Sequence, residues 1–184
     1  MLVTLLLQRP QAIVSIVQNT PGWVWGLLAA LLVLGLSQVR ARQVTLGRMV
    51  LMPVAMAVLS LWGTLSAFGE SPGLPWVLLA WAVSASVPLV AIGSRPPPAG
   101  LRYDPHSRRF DVPGSWLPLA LILGIFLVKY GVGIELALQP SLARDGGFAL
   151  AVATAYGLFS GTFAGRALRQ NRLALRRHGA LATA

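Results

Sequence analysis

Lys129 is the residue of this chain best suited to chemistry. It is the one lysine of the 184 residues and sits inside an apolar run, Trp116–Leu138. Thirteen residues separate it from the start of that run and nine from its end. A lysine there carries a positive charge and three donors. In an apolar surrounding it costs at least ~2.5 kcal/mol, so it should face protein or a wet cavity. Glu135 is the nearest acid on the run, but six residues rotate a helix until the two side chains stand about 120° apart. Side chains also lean toward the helix N-terminus, which takes Lys129 away from Glu135. Ser60, Ser84 and Tyr156 stand at similar depths in three other apolar runs, seven, ten and nine residues from the matching ends. Along the helix axes the four fall within about 5 Å of one another. They form a candidate polar layer. Such a layer could hold a small anion or pass a proton, with Lys129 as the charge and the hydroxyls as donors. It could equally be a structural lysine bonded to hydroxyls and backbone carbonyls.

Other chemistry is thinly supplied. Cysteine is absent, which removes disulfides, thiolate metal sites, iron–sulfur clusters and cysteine nucleophiles. Two histidines and five acidic residues leave little for a metal site. No His/Glu metal pair, no Gly-rich phosphate loop and no Ser with a nearby His and acid is present in the sequence. The reading is therefore no cofactor, no metal, no catalytic residue and no enzyme, with a lipid-handling enzyme the one catalytic alternative. His106 lies between Pro105 and Ser107 and reads as a solvated turn histidine. The net charge of +10 comes with no aromatic interleaving and no recognition module, so nucleic acid is not an expected partner.

The elements that must position Lys129 are membrane spans. Of the residues, 55 % are hydrophobic and 11 % charged, against about 25 % charged in a soluble domain. Five segments qualify as spans, for which about 20 mostly apolar residues are needed. They run about 21–38, 46–67, 74–93, 116–138 and 147–168 and make one transmembrane domain, 21–168. The first is the shortest. Asn19 or Thr20 is its expected N-cap and Pro21 its first helical residue. Trp23, Trp25, Trp76 and Trp116 lie near span ends, as an interfacial belt requires. Pro53, Pro88 and Pro118 interrupt three spans, each freeing a carbonyl. Such kinks could be merely tolerated or could open a vestibule. Arginine decides the orientation. Arg40, Arg42 and Arg48 flank the first loop, Arg95, Arg102, Arg108 and Arg109 the third, and Arg166, Arg169, Arg172, Arg176 and Arg177 the C-terminal tail. Arg9 and Arg144 fall on the other side. Basic residues mark the cytoplasm, so the N-terminus is expected outside and the C-terminus inside.

The remaining pieces follow from these spans. The N-terminal segment, 1–20, holds two short apolar runs split by Arg9-Pro10 and reads as an interfacial helix. In the long third loop, Leu101–Asp104 and Arg109–Val112 flank Pro105-His106-Ser107. This predicts a short cytoplasmic β-hairpin with Leu101 and Tyr103 on one face and Phe110 and Val112 as partners. Two strands alone are marginal, so the hairpin should lie on helix ends or headgroups. The last span carries a small residue every fourth position: Ala149, Ala153, Gly157, Gly161 and Gly165. That stripe predicts helix packing, within the chain or in a homodimer. The basic tail, 169–184, continues the last helix. Arg166, Arg169, Arg172, Arg176 and Arg177 anchor the topology or contact anionic lipid headgroups.

Several stretches also carry a resemblance. They are Thr20-Pro21-Gly22-Trp23-Val24-Trp25, Leu34-Gly35-Leu36-Ser37-Gln38, Leu51-Met52-Pro53-Val54-Ala55-Met56, Arg102-Tyr103-Asp104, Val112-Pro113-Gly114-Ser115-Trp116 and Leu127-Val128-Lys129-Tyr130-Gly131-Val132-Gly133. With the glycines of the last span, this pattern resembles a family of small bacterial inner-membrane proteins of unknown function, from Thr20 to about Arg169. The resemblance implies a polytopic helix bundle in the bacterial cytoplasmic membrane, and implies no activity, cofactor or catalytic residue. The expectation is a small multi-pass protein, all-α apart from the hairpin, structural or accessory, alone or with an unknown membrane partner. The alternative is a small transporter or channel using the layer around Lys129.

Overall fold

The structure is a computed structural model that describes residues 17–98, 100–104 and 109–182, with side chains up to Arg172 apart from Leu46 and Met52. The expected interfacial segment before Val17, the turn holding His106 and Arg108, and the side chains of Arg176 and Arg177 lie outside the described residues. The elements are α1 (Gly22–Leu36), β1 (Arg42–Thr45), α2 (Leu46–Phe68), α3 (Leu74–Gly93), β2 (Arg102–Asp104), β3 (Arg109–Val112), α4 (Leu117–Leu138), a 3₁₀ turn (Pro140–Arg144) and α5 (Gly146–Ala182). Four helices are long and apolar enough to cross a membrane: α2, α3, α4 and the Gly146–Arg172 part of α5. The expected first span is shorter. Its helix has 15 residues, about 22 Å against a hydrocarbon core of ~30 Å.

The chain divides into two compact units. The smaller one contains α1 and α4. Thr20 does not cap α1 as expected. Pro21 takes the cap position without a side-chain bond, and the helix begins at Gly22. The Thr20 hydroxyl instead hydrogen-bonds that of Tyr130, whose ring stacks on Phe126 at 5.9 Å. At the other end of α1, Gly35 faces Leu119, and a Cβ there would come within 3.2 Å of the Leu119 Cα. The two contacts fix α1 and α4 as antiparallel. Pro118, expected to break a span, sits in the first turn of α4, where its missing N–H costs nothing.

The larger unit contains α2, α3, α5 and the three strands. Contacts between α3 and α5 run in step, from Trp81 and Ser84 at Gly157 to Pro88 and Leu89 at Gly165, so these helices are parallel. Ser60 meets Tyr156, and Phe68 meets Phe148 edge-on at 6.1 Å, so α2 runs antiparallel to α5. In α5, Asp145 caps the start: its Oδ1 accepts the Phe148 N–H at 2.6 Å. With 37 residues α5 is about 55 Å long, so the last span and the basic tail are one helix.

The hairpin forms, and it has a third strand. Its antiparallel register sets Tyr103 opposite Phe110, Arg102 opposite Asp111 and Asp104 opposite Arg109. On the other side of β3, Val44 pairs with Phe110, giving the order β1-β3-β2. One face buries Val44, Leu101, Tyr103 and Phe110 against Met49 in the first turn of α2, with Val112 packed alongside. Each such side chain contributes roughly 1.5–3 kcal/mol when removed from water. This is what a lone hairpin lacks. Because α2 and α3 separate β1 from β2, the sheet also holds the start of α2 and the exit of α3 at one end.

Candidate functional site

The larger unit brings most of the expected polar layer together. Ser60, Thr64, Ser84, Tyr156 and Ser160 are all buried. Ser60 is the bridge. Its Oγ accepts the Trp81 Nε1–H at 3.0 Å and donates to the Tyr156 backbone carbonyl at 3.4 Å. The Thr64 hydroxyl donates to the Ser60 carbonyl, and the Ser84 hydroxyl to the Trp81 carbonyl, both at 3.0 Å. One serine thus joins α2 to α3 and to α5. The part of Tyr156 that enters this bridge is its main-chain oxygen. A bond between such helices is worth ~0.6 kcal/mol on average and up to ~1.7.

Glycines let the helices come this close. A Cβ at Gly157 would overlap the Ser84 hydroxyl and the Trp81 carbonyl, and one at Gly161 would lie 2.8 Å from the Ala85 Cα and overlap the Ala85 carbonyl. At Gly165 it would stand 2.8 Å from the carbonyl of Pro88. The small stripe of α5 therefore lies on α3, and at Pro88 the two backbones touch. Ala149 and Ala153, the first members of the stripe, have no exposed surface at all. Lys129 is not among these residues. It is half-buried on α4, in the smaller unit.

The chain belongs to a family of unknown function, DUF6622. The family model matches residues 1–181. No curated protein and no solved structure matches the DUF6622 chain.

At the sheet end, Arg166, Arg169 and Arg172 are half-buried on α5, and the Arg169 Nε donates to the Pro96 carbonyl at 2.5 Å. The tail of the DUF6622 chain is thereby tied to the exit of α3. Burial lowers the Arg42 guanidinium from its ordinary value, and the charge of Arg48 lowers it further. It stays protonated at any physiological pH. Among the described residues, no three His, Asp or Glu side chains stand close enough to hold a metal ion.

Sequence reasoning missed Trp81 as the donor to Ser60, and it missed β1. The first had a signal. An indole N–H in the middle of an apolar helix that packs on its neighbours calls for an acceptor on one of them.

Proposed function

We propose that this chain is a structural or accessory protein of the bacterial cytoplasmic membrane, without enzymatic activity. In this reading it crosses the bilayer five times, with its N-terminus outside and its C-terminus inside. α1 crosses as a short span whose ends are met by local thinning and by Trp23 and Trp25 at the interface. The partners are the bilayer itself, anionic headgroups on the cytoplasmic side, and a second copy or another membrane protein. Cofactors and nucleic acid have no part in it.

One observation carries the reading. The buried Ser60 hydroxyl, at the depth where a transport site would lie, is already bonded to two neighbouring helices, through Trp81 and the Tyr156 carbonyl. It acts as interhelical glue. The test combines native purification with melting of Ser60→Ala and Lys129→Met. The proposed role expects Ser60→Ala to lower the melting temperature and the wild type to retain no small molecule in stoichiometric amount. A retained small anion, lost in Lys129→Met while the melting temperature is unchanged, would replace this reading with the small transporter.

A further inference from the structure

Charge in the larger unit is unevenly matched. Its acidic residues are Glu70, Asp104, Asp111 and Asp145. Glu70 and Asp145 lie at the end where Phe68 meets Phe148, and Asp145 is occupied as the cap of α5. Asp104 and Asp111 are at the sheet end. The strand register sets them directly opposite Arg109 and Arg102, so each has a cross-strand partner of opposite sign.

Among the other arginines of the sheet end, four come to one level. The Arg169 bond to Pro96 brings Arg95, the preceding residue, to the level of Arg169. The contact of Gly93 with Leu168 fixes the same level independently. On α2, the antiparallel match of Ser60 with Tyr156 and Phe68 with Phe148, extended by roughly three turns, sets Arg48 level with Leu168. Arg166 is one turn from Arg169 on α5, on the same side of the helix. Arg48 on α2, Arg95 just beyond the end of α3, and Arg166 and Arg169 on α5 thus come to one level, and no acid is set opposite them by the sheet. Arg48 is also in the first turn of α2, where the helix dipole opposes a cation and favours an anion. Below this level the helices present apolar surface: Leu51, Val54 and Val58 on α2 and Val87 and Val90 on α3 are exposed.

We propose that this arginine level is a binding site for the phosphate-diester headgroup of an anionic phospholipid. Guanidinium groups match phosphate oxygens in pairs, which an ammonium does not. The exposed valines and Leu51 provide the wall along which acyl chains would lie, a feature that free phosphate does not need. The site rests on reading these helices as membrane-crossing. It makes the Arg166–Arg169 part of the basic stripe, with Arg48 and Arg95, the lipid contact.

The test is melting of the full-length protein in neutral detergent. Added phosphatidylglycerol should raise the melting temperature by several degrees, and high salt should shrink the rise. Phosphatidylcholine and inorganic phosphate at equal phosphate concentration should not raise it. Arg95→Gln/Arg169→Gln should abolish the rise, and Arg144→Gln, at the far end, should keep it. Should the double variant not fold, native mass spectrometry of the wild type decides between retained phosphatidylglycerol and retained phosphatidylcholine. Equal stabilisation by phosphatidylcholine, equal stabilisation by inorganic phosphate, or a full rise in the double variant would each overturn the site. A protein that fails to partition into membranes would fail the membrane reading first, before any lipid is compared.

Discussion

At the scale of residues, the packing of α3 on α5 turns on Gly161. Gly161→Ala drives a methyl group into the Ala85 carbonyl, which is backbone and cannot swing aside. Overpacking of this kind costs ~1–3 kcal/mol. The expected result is a melting temperature several degrees lower in detergent; a wild-type value would show that the stripe does not bear on α3. Ser60 allows a finer measurement. Ser60→Ala leaves the Trp81 indole N–H without its acceptor, and Trp81→Phe leaves the hydroxyl without that donor. Combining them should cost less than the two single changes added together, with a coupling of ~0.6–1.7 kcal/mol. Strict additivity would remove the bond from the account. The glycine spacing was legible in the sequence because small residues at every fourth position have few other uses in an apolar helix. Ser60, Ser84 and Tyr156 were legible as a depth, not as a bonding pattern. Depth follows from counting residues, whereas the acceptor of the Trp81 indole depends on which helices are neighbours. Lys129 shared the depth and falls in the other unit for the same reason.

At the scale of elements, the sheet is the part that local sequence could only half describe. Leu101–Asp104 and Arg109–Val112 alternate and flank a turn, so the hairpin was readable. β1 was not, because Arg42–Thr45 is four residues long and its partner lies 66 positions away at Val44–Phe110. Burial of Phe110 by strands on both sides makes it the centre of this small core. Phe110→Ala should cost ~3–5 kcal/mol locally. The result to look for is faster tryptic cleavage after Arg102 and Arg109, with the helical circular dichroism retained. Unchanged cleavage would mean that the sheet is held by something other than its core. The start of α1 differs from the sequence expectation for a physical reason: the Thr20 hydroxyl has a partner on α4 and leaves the helix end to Pro21.

At the scale of the whole molecule, five crossings require the helices to alternate in direction, and the proposed orientation puts the sheet and the basic end of α5 on the cytoplasmic side. The proposed orientation follows the arginine distribution. Within the larger unit, the opposed α2 and α5 and the parallel α3 and α5 fit alternate crossing. Within the smaller one, so do the opposed α1 and α4. That the helices are long and apolar enough to cross a membrane was legible from composition, with its few charges. The most direct measurement uses the absence of native cysteine. Single cysteines, Glu70→Cys and Arg102→Cys, are treated in intact cells with a maleimide that cannot cross the inner membrane. The proposed orientation expects Glu70→Cys to be labelled from outside and Arg102→Cys to be labelled only after permeabilisation. Labelling of Arg102→Cys in intact cells, with Glu70→Cys protected, would contradict it.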